Sequence, residues 1–179
     1  MSFNSIDEIL AANDESLQRF LSEVSGLSEG QEVFRPSEGS WSIAEIVEHV
    51  ALVNNNFLRI VGRLHQQALA DGAGPAGPIL IGPLLEAVDP ERQRKVEAPE
   101  RVRPRGDQPV TASLHLLRQT ASGFREIQPQ LEAVDLSGPT IPHALGQLNA
   151  YQWLVLLGEH QERHLAQITQ LRAAPGYPV

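Results

Sequence analysis

Residues 41–64 read WSIAEIVEHVALVNNNFLRIVGRL, and this stretch carries a clear helical pattern. Ser42, followed three residues later by Glu45, fits a capping box, in which the two side chains satisfy free N–H groups of a helix's first turn. Apolar side chains then recur at spacings of three, four and seven, which places them on one helical face. They are Ile43, Ile46, Val47, Val50, Val53, Phe57, Ile60, Val61 and Leu64. The stretch therefore predicts a long amphipathic helix that ends near Leu69.

Three further segments share this period, at residues 5–24, 110–131 and 149–171. We expect Pro129 to shorten the third of the four helices, because proline lacks the N–H that a helix interior needs. The second and third helices are separated by residues 70–108, a loop rich in glycine and proline that we call the crossover. No segment predicts a pair of strands. Four helices with one long crossover predict an all-α four-helix bundle.

The composition narrows the function classes. A length of 179 residues suits one domain over residues 1–179, and no apolar run reaches the roughly 20 residues of a membrane span. The net charge of −8 argues against a nucleic-acid partner held by phosphate contacts. Residues 1–10 lack the pattern of a signal peptide, so we expect a cytoplasmic protein. The chain has no cysteine, so any metal ligands must be His, Asp or Glu.

His160 and His164 form the most informative pair in the sequence. A spacing of four puts both imidazoles on one helical face, one turn apart, where they can share an ion. Their face also carries the apolar stripe of the last helix, where histidine is not needed for solubility. Two hydrogen-bonded core histidines are the alternative, and the spacing alone does not decide between these interpretations.

His49 supplies a third imidazole, about two turns into the second helix and near its core face. Three neutral imidazoles plus water form a familiar open divalent site, whereas a closed structural site would need a fourth protein ligand. The motif is not HExxH, because Gln161 stands where that motif has its general base. We expect Glu159 and Glu162 to project away from the pair as surface acids.

The remaining candidates are weaker. His65, His115 and His143 are predicted to be surface or packing residues, and His143 is the one expected to approach the site. The residues that share faces with the three histidines are candidates to line a substrate site; they are Asn56, Trp153 and Gln167. For the two amides, fixing the packing of the helices is an equal alternative.

The chain resembles the DinB-like superfamily of metal-dependent enzymes, which includes the YfiT-like proteins. The resemblance rests on Trp41-Ser42 opening a helix with His49 seven residues after Ser42, on residues 145–153, and on residues 159–168 with their HxxxH pair. It extends over essentially the whole chain. The resemblance implies an up-down-down-up bundle and a metal triad of His49, His160 and His164. It further implies zinc or nickel as the metal, and a homodimer.

Two classes of function follow. In the first, the protein is an enzyme for a small-molecule substrate, either a hydrolase or a transferase that uses a low-molecular-weight thiol as cosubstrate, as some members of the superfamily do. Arginines in the crossover, such as Arg101, Arg103 and Arg105, would attract a carboxylate on such a cosubstrate, or would simply pair with neighbouring acids. In the second class, the metal stabilises a non-catalytic binding or stress-response protein.

Overall fold

The computed structural model describes residues 3–79, 81–82 and 97–178. Four long helices make up most of it. They are α1 (Ile6–Glu23), α3 (Ile43–Ala70), α4 (Val110–Glu132) and α5 (Ala150–Arg172). A short helix, α2 (Glu29–Val33), precedes α3, and a 3₁₀ turn (Glu100–Val102) lies in the crossover. The predicted four-helix bundle is confirmed, and α2 is an addition that the apolar period did not reveal.

Contacts between the helices establish their directions. Asn13 bonds to Leu154 and, further along both helices, Glu23 bonds to Arg172, so α1 and α5 run parallel. The helix α3 packs antiparallel to α5, because His49 lies against His164 while Phe57 lies against Trp153. Gly106, just before α4, lies beside Glu45, and Gly123 of α4 lies beside Leu58, so α4 runs parallel to α3. The order of directions is therefore up-down-down-up.

The helix starts are set by local hydrogen bonds. Ser42 and Glu45 form the expected capping box at the start of α3, and Asn149 and Gln152 form another at the start of α5. These caps fix the first turn of each helix and with it the rotation of every later side chain. Pro129 does not end α4, which continues to Glu132; the missing N–H is tolerated close to the helix end.

A two-stranded hairpin connects α4 to α5, which corrects the expectation of no strand pair. Its strands are β1 (Ile141–His143) and β2 (Gly146–Leu148), paired antiparallel with His143 opposite Gly146. Each strand has only three residues and Pro142 interrupts the pattern, so the sequence carries little strand signal. Gly146 adopts a φ of 113°, a conformation that favours glycine at the turn.

The apolar interior runs the length of the bundle. Phe20, Ile46, Leu117 and Ile168 are fully or almost fully buried toward one end, and Phe57, Leu136 and Leu154 toward the other. In the crossover, Ile81 is buried on the bundle, and Gln152 donates a hydrogen bond to its carbonyl oxygen at 2.9 Å. Three other apolar residues of the crossover, Leu80, Leu84 and Leu85, lie outside the described residues. No helix in the described ranges is long and apolar enough to cross a membrane.

Candidate metal centre

Two antiparallel helices bring the three predicted histidines together. His49 lies on α3 two turns after the capping box, and His160 and His164 lie one turn apart on α5. One ring nitrogen from each lies within 4.8 Å of the other two. Among the described residues, this is the one group of three or more His, Asp or Glu side chains with such spacing.

The spacing of the two α5 histidines suits a shared ion. Nε2 of His160 lies 3.2 Å from Nε2 of His164. Two nitrogens bound tetrahedrally to zinc at about 2.0–2.1 Å are separated by about 3.3–3.4 Å. The ring centre of His49 lies 4.8 Å from that of His164 and 5.2 Å from that of His160. Three imidazoles at these distances are a donor set suited to a divalent transition metal.

Carbonyl oxygens orient two of the three rings. Nδ1 of His49 lies 2.7 Å from the backbone oxygen of Val102, and Nδ1 of His164 lies 2.9 Å from Oε1 of Gln167. A carbonyl oxygen only accepts, so each Nδ1 carries the proton and each Nε2 keeps its lone pair. Metal-binding histidines commonly have such partners, which fix the tautomer and the ring orientation. Nδ1 of His160 is buried and has no hydrogen-bond partner among the described residues.

All three rings are held neutral. Burial lowers the pKa of His164 to about 3, with a further contribution from the nearby charge of His49. The pKa of His160 is well below its usual value, again first through burial and then through His164 and His49. Burial also lowers the pKa of His49, although the bond to Val102 opposes this shift. Neutral imidazole is the form that binds a metal, so the site is ready for an ion at neutral pH.

The histidines open into a cavity of about 240 Å³. Its walls are largely apolar and are formed by Trp41, Val53, Phe57, Leu145, Trp153 and Leu156. Two of the three predicted substrate-lining residues, Asn56 and Trp153, line this cavity. Gln167 is not among its lining residues, and instead contacts His164 as described above. The apolar walls limit access of water and suit a substrate with an apolar part.

Several lining residues were not expected from the sequence. Glu159 lines the cavity rather than projecting away as a surface acid, and Arg163 lines it as well. Glu162 lies on the other side of α5, where it accepts hydrogen bonds from Ser16 and Arg19. The crossover contributes residues 97–99, 101 and 102 to the wall. The place of these residues at the cavity depends on how the crossover packs against the bundle, which helical spacing does not reveal.

His143 reaches the cavity from the hairpin, as predicted from its position in the sequence. Its ring packs edge-on against Trp153, with 5.2 Å between ring centres. Its Nδ1 accepts a hydrogen bond from the backbone N–H of Leu145 at 3.2 Å, so the neutral ring carries its proton on Nε2. Burial lowers the pKa of His143, which favours this neutral form. The other two histidines lie elsewhere: His65 is buried in α3 and His115 is exposed on α4.

Arg103 pairs with a neighbouring acid of the crossover, which is one of the two alternatives predicted for these arginines. Its guanidinium forms an ion pair with Glu97 at 2.6 Å. Arg101 is exposed and lines the cavity, whereas Arg103 does not line it. Arg92, Arg94 and Lys95, which add to the basic character of the crossover, lie outside the described residues. The described arginines thus include both a solvated ion pair and a cationic group at the cavity.

Two features define the class of protein. The fold is an up-down-down-up four-helix bundle, and its helices α3 and α5 bring three neutral histidines to one cavity. Residues 12–168 match the family model of the DinB superfamily, and the chain belongs to that superfamily. It is 27% identical over 157 residues to the uncharacterized protein YuaE of Bacillus subtilis (strain 168), which covers 84% of this chain and 88% of YuaE.

Two solved structures share the fold. TT2238, described as a four-helix bundle protein, superposes with a TM-score of 0.60 at 22% identity, covering 92% of this chain and 98% of TT2238. YfiT from Bacillus subtilis superposes with a TM-score of 0.57 at 17% identity, covering 96% of this chain and 88% of YfiT. YfiT is described as "a probable metal-dependent hydrolase with an unusual four-helix bundle topology". At these identities the likeness establishes the fold.

Proposed function

We propose that the protein is a metal-dependent enzyme whose divalent ion, zinc or nickel, is held by His49, His160 and His164. The observation that carries this proposal is the convergence of three neutral imidazoles, two of them with Nδ1 bound to a carbonyl oxygen. The description of YfiT as a probable metal-dependent hydrolase supports the same assignment. Three protein ligands leave a coordination position for water or substrate, which distinguishes a catalytic site from a closed structural one.

Hydrolysis of a small ester or amide with an apolar part is the reaction that the cavity fits best. A divalent ion on three imidazoles supplies Lewis acidity and lowers the pKa of bound water. The chain itself would supply the remaining parts. The apolar walls around Phe57 and Trp153 hold the substrate, the Nε2–H of His143 offers a hydrogen bond to a carbonyl oxygen, and Glu159 is a carboxylate suited to accept a proton.

Thiol-dependent S-transfer is the second candidate. Its support is Arg101, an exposed cationic group on the cavity wall that would attract a carboxylate of a low-molecular-weight thiol. The same three-histidine site would then lower the pKa of the thiol, and no cysteine of the chain is required. Hydrolase and transferase differ in one measurable way, since only the second needs an added thiol for turnover.

The test is metal content, followed by activity. Untagged protein purified without chelators is expected to contain about one zinc or nickel per chain, and His49→Ala, His160→Ala and His164→Ala are expected to lose it. His115→Ala, an exposed histidine outside the cluster, is the matched control and should keep the metal. A native protein that binds neither ion, even when zinc or nickel is added, would disprove the proposal.

A chelator separates catalytic from structural roles. A metal that only ties α3 to α5 would couple binding to folding, so its removal would strongly lower the unfolding temperature. The continuous apolar core argues for a metal-free protein that stays folded. We therefore expect chelation to abolish hydrolysis of nitrophenyl esters, or thiol transfer, with a small change in unfolding temperature. Re-addition of the ion should restore the activity.

A further inference from the structure

Glu48 is a buried carboxylate directly beside His49 on α3. The residue is 6% exposed, and no basic side chain among the described residues forms an ion pair with it. Its two oxygens instead accept hydrogen bonds from two consecutive backbone N–H groups, those of Arg105 at 3.1 Å and Gly106 at 2.9 Å. Burial of an unpaired charge is costly, and hydrogen bonds to the charged form offset that cost. Through these two hydrogen bonds, the carboxylate ties the crossover to α3.

The segment that Glu48 holds also contacts His49. The carbonyl oxygen of Val102, only three residues before Arg105, is the atom that accepts the Nδ1 proton of His49. Adjacent residues of α3 thus hold the two ends of residues 102–106. Gly106, whose N–H donates to the carboxylate, has a φ of 70°, a backbone conformation that favours glycine. Residues 97–99, 101 and 102, at and just before the start of this segment, form part of the cavity wall.

We propose that Glu48 is a positioning residue, which fixes the crossover so that Val102 holds the proton of His49 on Nδ1 and leaves Nε2 for the metal. The consequence for metal affinity rests on the proposed function, whereas the effect on the tautomer of His49 does not. Glu48 is not placed as a ligand or a base, because it does not line the cavity and its two oxygens point to the crossover backbone, where they accept hydrogen bonds.

Glu48→Gln tests this inference with a small change in volume. The amide keeps one acceptor, but it turns an N–H group toward a backbone N–H, so one end of the segment is released. The matched control is Glu162→Gln, which removes a carboxylate that bonds Ser16 and Arg19 on the other side of α5. Gly106→Ala is a second variant that acts from the loop and leaves α3 intact, in case Glu48→Gln folds poorly.

The first readout uses metal-free protein and the ¹⁵N chemical shifts of the histidine rings. In the native protein His49 is expected to be the Nδ1–H tautomer; in Glu48→Gln and Gly106→Ala it should become a mixture of tautomers, and in Glu162→Gln it should not change. The second readout is affinity for zinc, which should fall about 10-fold in the first two variants with stoichiometry retained, within the range seen when such partners are removed.

The outcomes separate the two proposals. A native protein that binds no metal, but whose His49 tautomer depends on Glu48, would overturn the proposed function and leave the positioning role standing. An unchanged Nδ1–H tautomer in both Glu48→Gln and Gly106→Ala would overturn the positioning role, whatever the metal affinity. So would a native His49 that carries its proton on Nε2.

Discussion

Nε2 of His160 and Nε2 of His164 face each other across 3.2 Å. Because Nδ1 of His164 donates to Gln167, Nε2 of His164 can only accept in the neutral ring. The proton between the two rings must then belong to Nε2 of His160. In the metal-free protein His160 is therefore the Nε2–H tautomer, and its buried Nδ1 is a bare lone pair.

Metal binding is consequently expected to move the proton of His160 from Nε2 to Nδ1, while His164 keeps its Nδ1–H form. The reason is that Nε2 of His160 must present its lone pair to the ion. Ring ¹⁵N shifts measured before and after addition of one equivalent of zinc would report this exchange. A metal-free His160 already protonated on Nδ1, or a spectrum of His160 unchanged by zinc, would contradict the prediction.

Acid is expected to destabilise the metal-free protein between about pH 6.5 and 3. The pKa of His164 falls from 6.5 in the unfolded chain to about 3 in the fold, and the pKa values of His160 and His49 are also lowered. In this window the unfolded state binds more protons, so the free energy of unfolding decreases as the pH falls. Well above pH 6.5 these rings are neutral in both states and contribute no slope.

The measurement is urea unfolding of metal-free protein at several pH values from 7 to 4. His164→Phe removes one titrating ring and should reduce the pH slope by up to about 1.4 kcal/mol per pH unit. The absolute stability of this variant will also change, so only the slope is compared. Equal slopes for native and variant protein would show that His164 is protonated in the fold at mild acidity.

Most of the fold could be predicted because its signals are local. The capping boxes at Ser42 and Asn149, and the apolar stripes that follow them, fix both the start and the buried face of α3 and α5. The same rotation brings His49 toward His160 and His164, so the candidate triad follows from helical spacing combined with the family resemblance. The hairpin escaped prediction since six strand residues, one of them Pro142, are too few for an alternating pattern.

The environment of the triad depends on contacts between residues distant in sequence. Val102 meets His49 through a backbone carbonyl, 53 residues away, and a carbonyl leaves no mark in the identity of a side chain. Glu159 was expected at the surface, but the crossover and hairpin extend the cavity as far as its position. Gln167 contacts His164 three residues earlier, a relation that helical spacing allows but does not single out from substrate contact.

Trp41 should report the arrival of the metal. The chain has two tryptophans, and both line the cavity. The ring centre of Trp41 lies 4.8 Å from that of His49 and 6.5 Å from that of His164, whereas Trp153 packs on Phe57 and His143.

Because nickel quenches indole fluorescence at short range, stoichiometric Ni²⁺ is expected to quench mainly the emission of Trp41. Trp153→Phe should therefore retain most of the quenching, and Trp41→Phe should lose most of it. The reverse pattern would place the ion elsewhere.

Gly158 allows α1 and α5 to approach closely on the side of α5 away from the cavity. A Cβ at this position would overlap Oδ1 of Asn13, whose side chain is buried and held by a hydrogen bond from its Nδ2 to the Leu154 carbonyl oxygen at 2.9 Å. Gly158→Ala is therefore expected to lower the free energy of unfolding by about 1–3 kcal/mol, as overpacking does elsewhere.

Gly62→Ala is the matched control for this substitution, because Gly62 lies inside α3 and a Cβ there would meet no atom within 4 Å. Its effect should have the opposite sign, a stabilisation of about 0.5–1 kcal/mol from the better helix propensity of alanine. Denaturant unfolding of both variants gives the comparison.

Asn13→Ala combined with Gly158→Ala should lower the free energy of unfolding by less than the sum of the two single changes, because the first substitution removes the overlap. Additive effects, or a stabilising Gly158→Ala, would show that α1 and α5 do not touch at this point.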